Sequence, residues 1–418
     1  MDGLKTPGIR LEAMVHEKDQ IPGNASLPEL AKTNTTSTRV VRSVFPMANL
    51  SHRDPALSRL VAVLPTRVRR NYRGGMLLDR LEGSTAPVDS DRPESWIAST
   101  IEASNPGLPP LNAEGLTRVR LAVGAAEMTL AALVARAPAF YLGERHVETR
   151  GTQLGFLAKL LDSSMRLHVQ AHPTSVFARE RLGAPFGKLE VYHVLAVRGG
   201  VEGFIRLGFQ RSPGRDRWKR IIEEQDIAAM DACFDPIPVK PGETWMVPGG
   251  LPHAIGGGVL MVEVMEPSDL VVRCEFEREG VIVPSGGRFI GRGLDFCLDV
   301  FDYAEYSSAE IRRRFCLEST HLVDEPGWVV DCLVGSERTG CFEICRIQAD
   351  RTGGWANGGR CALAIATSGS GVVVAGDEQL ALAFGGSCFV AAANSGLTFS
   401  PGTSGGEILL CQPAATAR

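Results

Sequence analysis

The chain has 418 residues, 44% of them hydrophobic and 22% charged, which suits a soluble globular protein long enough for two domains. A formal net charge of −4 argues against a surface built for nucleic acid, and no apolar run is long enough to span a bilayer. All ten cysteines lie after residue 232 and none forms a C-x-x-C pair, so they read as small apolar residues of a reduced core.

Residues 1–47 are rich in Thr, Ser and Asn without sustained periodicity, and are expected to be an extension, partly disordered or draped on the surface. Met1 to Val15 lack the apolar core of a signal peptide, which points to a cytoplasmic protein. Leu60 to Pro65 reads as a first short strand, Arg73-Gly74-Gly75 as a turn, and Glu94 to Ala98 as another strand. Between Ala125 and Ala137, the spacing of Met128, Leu130, Leu133 and Val134 predicts an amphipathic helix. An apolar run, Phe156 to Leu161, is broken by Lys159 and leads into the alternating stretch Leu167 to Pro173.

Val191 to Val197 and Phe204 to Phe209 read as paired strands joined at Gly199-Gly200. Trp218 to Phe234 carries a helical pattern, and Asp302 to Phe315 predicts a connecting helix. From Val329 to Gln412, short apolar strands such as Cys361–Ala366, Val372–Ala375, Cys388–Ala393 and Ile408–Cys411 alternate with Gly-rich turns. The predicted fold is mainly β: two antiparallel β jelly-roll barrels with helical insertions. Residues 48–300 form the expected catalytic barrel, and 301–418 a linker helix and a second, non-catalytic barrel.

Gln170 and His172 sit two apart in a strand-like stretch, so their side chains share a face. Glu190 follows in Gly187-Lys188-Leu189-Glu190, and His253 closes a turn that starts at Pro248. Pro241 to His253 matches the second motif of cupins, in which glycines and prolines shape a bend that turns a histidine inward. One amide oxygen, two imidazoles and a carboxylate can converge on a divalent metal. Such a set leaves open positions on Zn²⁺, and without thiolate it also accepts Mn²⁺, Fe²⁺ or Co²⁺. The second barrel has no comparable set, because no histidine follows His321.

These motifs together resemble the type I mannose-6-phosphate isomerases. The resemblance rests on Val169–Pro173, Gly187–Glu190, Pro248–Ile255 and the run from Glu263 through Ser268-Asp269 to Arg273, supported by Glu94-Ser95-Trp96. It implies zinc held by Gln170, His172, Glu190 and His253, and interconversion of mannose 6-phosphate and fructose 6-phosphate. It places Arg273 near the reacting end of the sugar and Lys188, Glu263 and Lys159 in the same pocket. Three positions depart from the family. His168 stands where a small serine is common, Arg73 replaces the Trp of a Trp-Gly-Gly turn, and Ile255 replaces an aromatic found in some members. His168 and Arg73 are therefore taken as substrate-binding candidates.

The chemistry is coherent from first principles. Moving a carbonyl between C1 and C2 needs a proton carrier and stabilisation of an enediol, for which a carboxylate, a guanidinium and a Lewis-acid metal suffice. The expected partner is a small-molecule sugar phosphate. Two alternatives stand beside this reading: the same mechanism on a different sugar, and a metal-containing sugar-binding cupin without catalysis.

Overall fold

The computed structural model describes residues 57–121 and 126–415. The expected extension at 1–47, with His16, and also His52 and the start of the expected helix at Ala125, lie outside the described residues. The fold is mainly β, and its paired strands run antiparallel.

Two sheets frame the site. One has six strands in the order Thr244–Val247, Glu190–Val197, Val259–Met265, Leu157–Asp162, Glu94–Ala98 and Arg67–Val68. The other has five: Ile237–Pro238, Phe204–Leu207, His253–Ile255, Gln170–Ala171 and Val272–Arg273. Side chains alternate along each strand, so one parity faces the space between the sheets. Tyr192, Val194 and Met261 from the first sheet meet Ile205, Leu207 and Ile255 from the second in one core. Burying each such side chain stabilises the fold by about 1.5–3 kcal/mol. The same parity brings Glu190, Glu263 and Lys159 inward, because each lies two residues from an inward apolar neighbour.

The opposite parity of the five-stranded sheet, Val169, Ala171, Ala254 and Val272, packs under Trp218, Ile221, Ile222 and Phe301. That sheet is therefore buried on both faces. The helical stretch from Trp218 divides into Arg215–Glu224 and Ile227–Asp231. The break falls at Gln225, which adopts a left-handed φ of 52° and donates its side-chain amide to the Ile222 carbonyl at 2.6 Å. The connecting helix starts at Ser308 rather than Asp302, because Ser307 and Glu310 form a capping box there.

Several expectations are corrected. Val191–Val197 and Phe204–Phe209 are not a hairpin: they lie in different sheets, and their apolar faces pack together instead of sharing hydrogen bonds. The strand Leu60–Val63, expected in the first barrel, pairs with Ser387–Val390 and joins the eleven-stranded C-terminal sheet. Cys361–Ala366 and Val372–Ala375 belong to one strand, Ala362–Ala375, with irregularities at Ala366/Ser368 and Gly369/Gly371. The glycines there serve bulges and close packing, not turns. A Cβ on Gly371 would sit 2.3 Å from the Phe399 ring. All ten cysteines are free, and those of the core are buried.

Candidate metal centre

Only Gln170–Ala171 of the alternating stretch is regular strand, yet it suffices to aim Gln170 and, just beyond it, His172 inward. His253 opens the neighbouring strand and stands opposite Gln170 in the register. The turn before it depends on Gly250, whose φ of +93° suits glycine. Glu190 comes from the other sheet. His172 Nε2 lies 3.0 Å from Glu190 Oε1, and His253 Nε2 lies 3.6 Å from Glu190 Oε2. The two imidazole rings are 4.8 Å apart, centroid to centroid. All three residues are almost wholly buried, and no other group of three or more such side chains among the described residues has metal-ligating spacing.

The hydrogen bonds fix what these atoms offer. His172 Nδ1 is 2.9 Å from the Leu270 carbonyl and His253 Nδ1 is 2.9 Å from the Leu251 carbonyl. A carbonyl only accepts, so both Nδ1 atoms carry the proton. Burial lowers both imidazole pKa values, that of His172 to about 3, so both rings are neutral. Each Nε2 then presents a bare lone pair, and both face a carboxylate. The 3.0 Å contact is thus not a hydrogen bond, and His172 Nε2 is a buried nitrogen without a partner. Burial pushes the Glu190 carboxyl up, but the Lys188 ammonium, its Nζ 3.2 Å from Oε1, holds it below the usual range. Two lone pairs converging on a buried carboxylate are mutually repulsive unless a cation lies between them. The donor set fits a divalent ion that takes nitrogen and oxygen. Gln170 Nε2 is 3.5 Å from His253 Nε2, and a half-turn of the amide would place its oxygen there as a fourth ligand atom.

A cleft adjoins this centre, and the structure brings most of the expected substrate residues to it. Lys188, Glu263, Lys159, Arg273 and His168 all line it. Burial first, then the Glu190 charge, raises the Glu263 carboxyl to about 8, and its Oε1 has no hydrogen-bond partner. Lys159 Nζ lies 3.1 Å from Glu263 Oε2 and 3.1 Å from Glu94 Oε1. Burial lowers Arg273 to about 10 despite Asp269, and its guanidinium donates to the Gly287 carbonyl at 2.7 Å. His168 Nε2 donates to the Val281 carbonyl at 3.1 Å, leaving Nδ1 as an acceptor.

Arg73 does not join them. It is exposed and outside the cleft, whereas its neighbour Tyr72 is buried and lines it. The residues that sequence reasoning missed are Arg70, Tyr72, Glu94 and Asp269, which all line the cleft. Glu94 and Asp269 stood within quoted motifs, so position was the signal there. Tyr72 is the neighbour of the expected Arg73, and nothing in the local pattern singles out Arg70.

No family model matches the chain. By sequence it is 30% identical over 177 residues to a mannose-6-phosphate isomerase of Streptococcus mutans, covering 42% of this chain and 52% of that protein. It is 30% identical over 131 residues to the mannose-6-phosphate isomerase ManA of Bacillus subtilis, covering 31% of this chain and 40% of that protein. The chain thus matches about half the length, or less, of these curated relatives. By structure it resembles the mannose 6-phosphate isomerase of Bacillus subtilis, with a TM-score of 0.63, 18% identity, and 85% of this chain and 99% of that one covered. It also resembles a mannose 6-phosphate isomerase bound with zinc and yttrium, with a TM-score of 0.62, 15% identity, and 86% and 100% covered. These structural likenesses establish a shared fold.

Proposed function

We propose that the chain is a metal-dependent aldose–ketose isomerase that interconverts mannose 6-phosphate and fructose 6-phosphate through an enediol. The observation that carries this reading is the pair of neutral imidazoles whose bare Nε2 atoms face Glu190 beside a cleft rich in charged side chains. Gln170, His172, Glu190 and His253 would hold zinc, which when bound supplies Lewis-acid polarisation of the sugar carbonyl. The similarity to mannose-6-phosphate isomerases and the zinc in one structural neighbour support the same reading.

The chain's own residues divide the remaining work. Glu263 carries the proton between C1 and C2 through Oε1, which has no competing donor within the protein. Arg273 donates one bond to Gly287 and keeps further N–H groups for a developing enediolate. Lys188, between Glu190 and Asp269, adds positive charge where phosphate or oxyanion would sit. Lys159 spans two carboxylates, so it holds Glu263 in place.

In this reading the separate cores correspond to two cupin-type jelly-roll barrels, with catalysis in 48–300 and none in 301–418, and the protein works in the cytoplasm. A second sugar as substrate is favoured by one feature, the His168 acceptor in the cleft, which suits a hydroxyl better than an oxyanion. Assaying purified protein against mannose 6-phosphate and a panel of other aldoses, with and without a chelator, tests both readings. Chelator-sensitive turnover of mannose 6-phosphate is expected. Turnover that survives complete metal removal defeats the metal-dependent mechanism, and turnover of another sugar alone defeats the substrate assignment.

A further inference from the structure

Seven ionisable side chains, acidic and basic in alternation, run around the cleft. From the candidate proton carrier, Glu263 Oε2 is 3.1 Å from Lys159 Nζ, which is 3.1 Å from Glu94 Oε1. Glu94 Oε2 is 2.8 Å from Arg70 Nε, and Arg70 Nη1 is 3.3 Å from Asp269 Oδ2. Asp269 Oδ1 is 4.0 Å from Lys188 Nζ, and Lys188 is 3.2 Å from the candidate metal ligand Glu190. Glu94 is the third of the seven, between Lys159 and Arg70. Its carboxylate accepts from four donors: Tyr72 Oη at 2.6 Å, Lys159 Nζ at 3.1 Å, Arg70 Nε at 2.8 Å and Trp96 Nε1 at 2.8 Å.

A carboxylate offers about four lone-pair sites, so Glu94 is saturated and has nothing left for a substrate. It is also buried, with a side chain 3% exposed. Three of its four donors line the cleft themselves. An ion-pair chain of this kind is costly to desolvate and adds little net stability, so its return is geometric. Arg70 is further fixed by stacking over the Trp96 ring, its guanidinium carbon 5.0 Å from the ring centroid.

We propose that Glu94 is the positioning residue of the cleft: by binding Lys159 and Arg70 on opposite oxygens, it sets Glu263 at one end and Asp269 with Lys188 at the other. Glu94 never touches the sugar. Its kinetic signature follows from the isomerase reading, on which that part of the proposal rests.

The test compares Glu94→Gln and Glu94→Asp with wild type. An amide replaces one acceptor with an N–H group that faces two donors, so one pair of partners is released. Aspartate keeps the charge but is one methylene shorter and cannot reach both pairs. With mannose 6-phosphate, kcat of Glu94→Gln is expected to fall about 100-fold, the scale of an ångström misplacement at a reacting centre. KM should stay within about threefold and metal stoichiometry should be unchanged. Glu94→Asp, which serves if the glutamine variant does not fold, is expected to lose about tenfold in kcat with KM preserved. Wild-type kcat in Glu94→Asp, or a KM that rises in step with any loss of kcat, overturns the proposal.

Wild-type protein that turns over no sugar phosphate defeats the isomerase reading alone. The positioning claim is then decided by nitrogen–proton NMR of the Trp96 indole and the Arg70 Nε–H, which share Glu94 Oε2. Both signals should move together in Glu94→Asp. If the Arg70 signal stays in place, Glu94 does not position it.

Discussion

Removing the metal should be read out in stability, independently of any reaction. An ion that binds the folded chain and not the unfolded one stabilises it by about 4 kcal/mol when its free concentration is about 1,000 times Kd. For a cooperative unit of roughly 360 residues, the entropy of unfolding is about 0.75 kcal/mol per kelvin, so the midpoint should rise by about 5 °C. The structure supplies the reason for selectivity: the ion replaces two lone-pair contacts on Glu190, at 3.0 and 3.6 Å, with attractive ones. Calorimetric scans of chelated protein, and of protein in buffered free Zn²⁺ at that excess, give the shift directly. His253→Ala removes one of the three converging ligand side chains, and its shift should fall below about 1 °C at the same free ion concentration. Equal shifts in wild type and His253→Ala would mean that the ion binds elsewhere, and the argument from facing lone pairs would be wrong.

Two further perturbations probe the frame around the site. His193 points away from Glu190 and its Nδ1 pairs with the Thr244 hydroxyl at 2.9 Å, while burial, with a smaller contribution from Arg346, lowers its pKa to about 4. Between about pH 6.5 and pH 4 the unfolded chain takes up a proton that the folded chain does not, so His193 stabilises the fold above pH 6.5 and that contribution is lost as pH falls. The difference amounts to about 2 kcal/mol between pH 7.5 and 5.0. Denaturant titrations of wild type and His193→Gln should differ in pH slope by that amount; parallel slopes would contradict a neutral, buried His193. In Gly187→Ala, the new Cβ would lie 2.4 Å from Ser175 N and 2.6 Å from Pro173 O, both backbone atoms that yield only if the chain shifts. Stability should fall by about 1–3 kcal/mol, and competition titration should show metal bound about tenfold more weakly as the Lys188–Glu190 loop is displaced.

How much of this was legible in the chain depends on the range of the interaction involved. Gln170, His172, Glu190 and His253 were readable because local rules fix them: strand parity for the first pair, and glycine-shaped turns for the other two. Helices were readable in type, but their starts were missed by more than a turn at Ser308 and Leu130, and the breaks had local causes, the Ser307 capping box and the left-handed Gln225. Sheet membership was not readable. Strand pairing is non-local, so the apparent hairpin of Val191–Val197 and Phe204–Phe209 could equally be two facing layers, and the packing of Tyr192 against Ile205 and Leu207 decided for layers. The substrate side was the least legible. Tyr72 and Arg73 are adjacent in a stretch without regular strand, so no periodicity tells which one lines the cleft, and the partners of Glu94 span separations from 2 to 65 residues.

The backbone shows why these particular pieces must be assembled together. Gln170 and His253 belong to one sheet and Glu190 to the other, so three separate segments must meet at a single point. The chain at His172 and Pro173 joins them. The His172 carbonyl accepts from Gly250 N at 2.7 Å, on the turn that delivers His253, and the Pro173 carbonyl accepts from Lys188 N at 3.1 Å, on the loop that delivers Glu190. Both approaches require missing side chains: a Cβ on Gly249 or Gly187 would fall 2.7 or 2.6 Å from the Pro173 oxygen. The glycines of two distant motifs are thus explained by one proline carbonyl. Because these contacts are made by protein alone, the geometry of the candidate ligands is set without an ion, and a metal that binds there would spend little of its free energy on rearranging the chain.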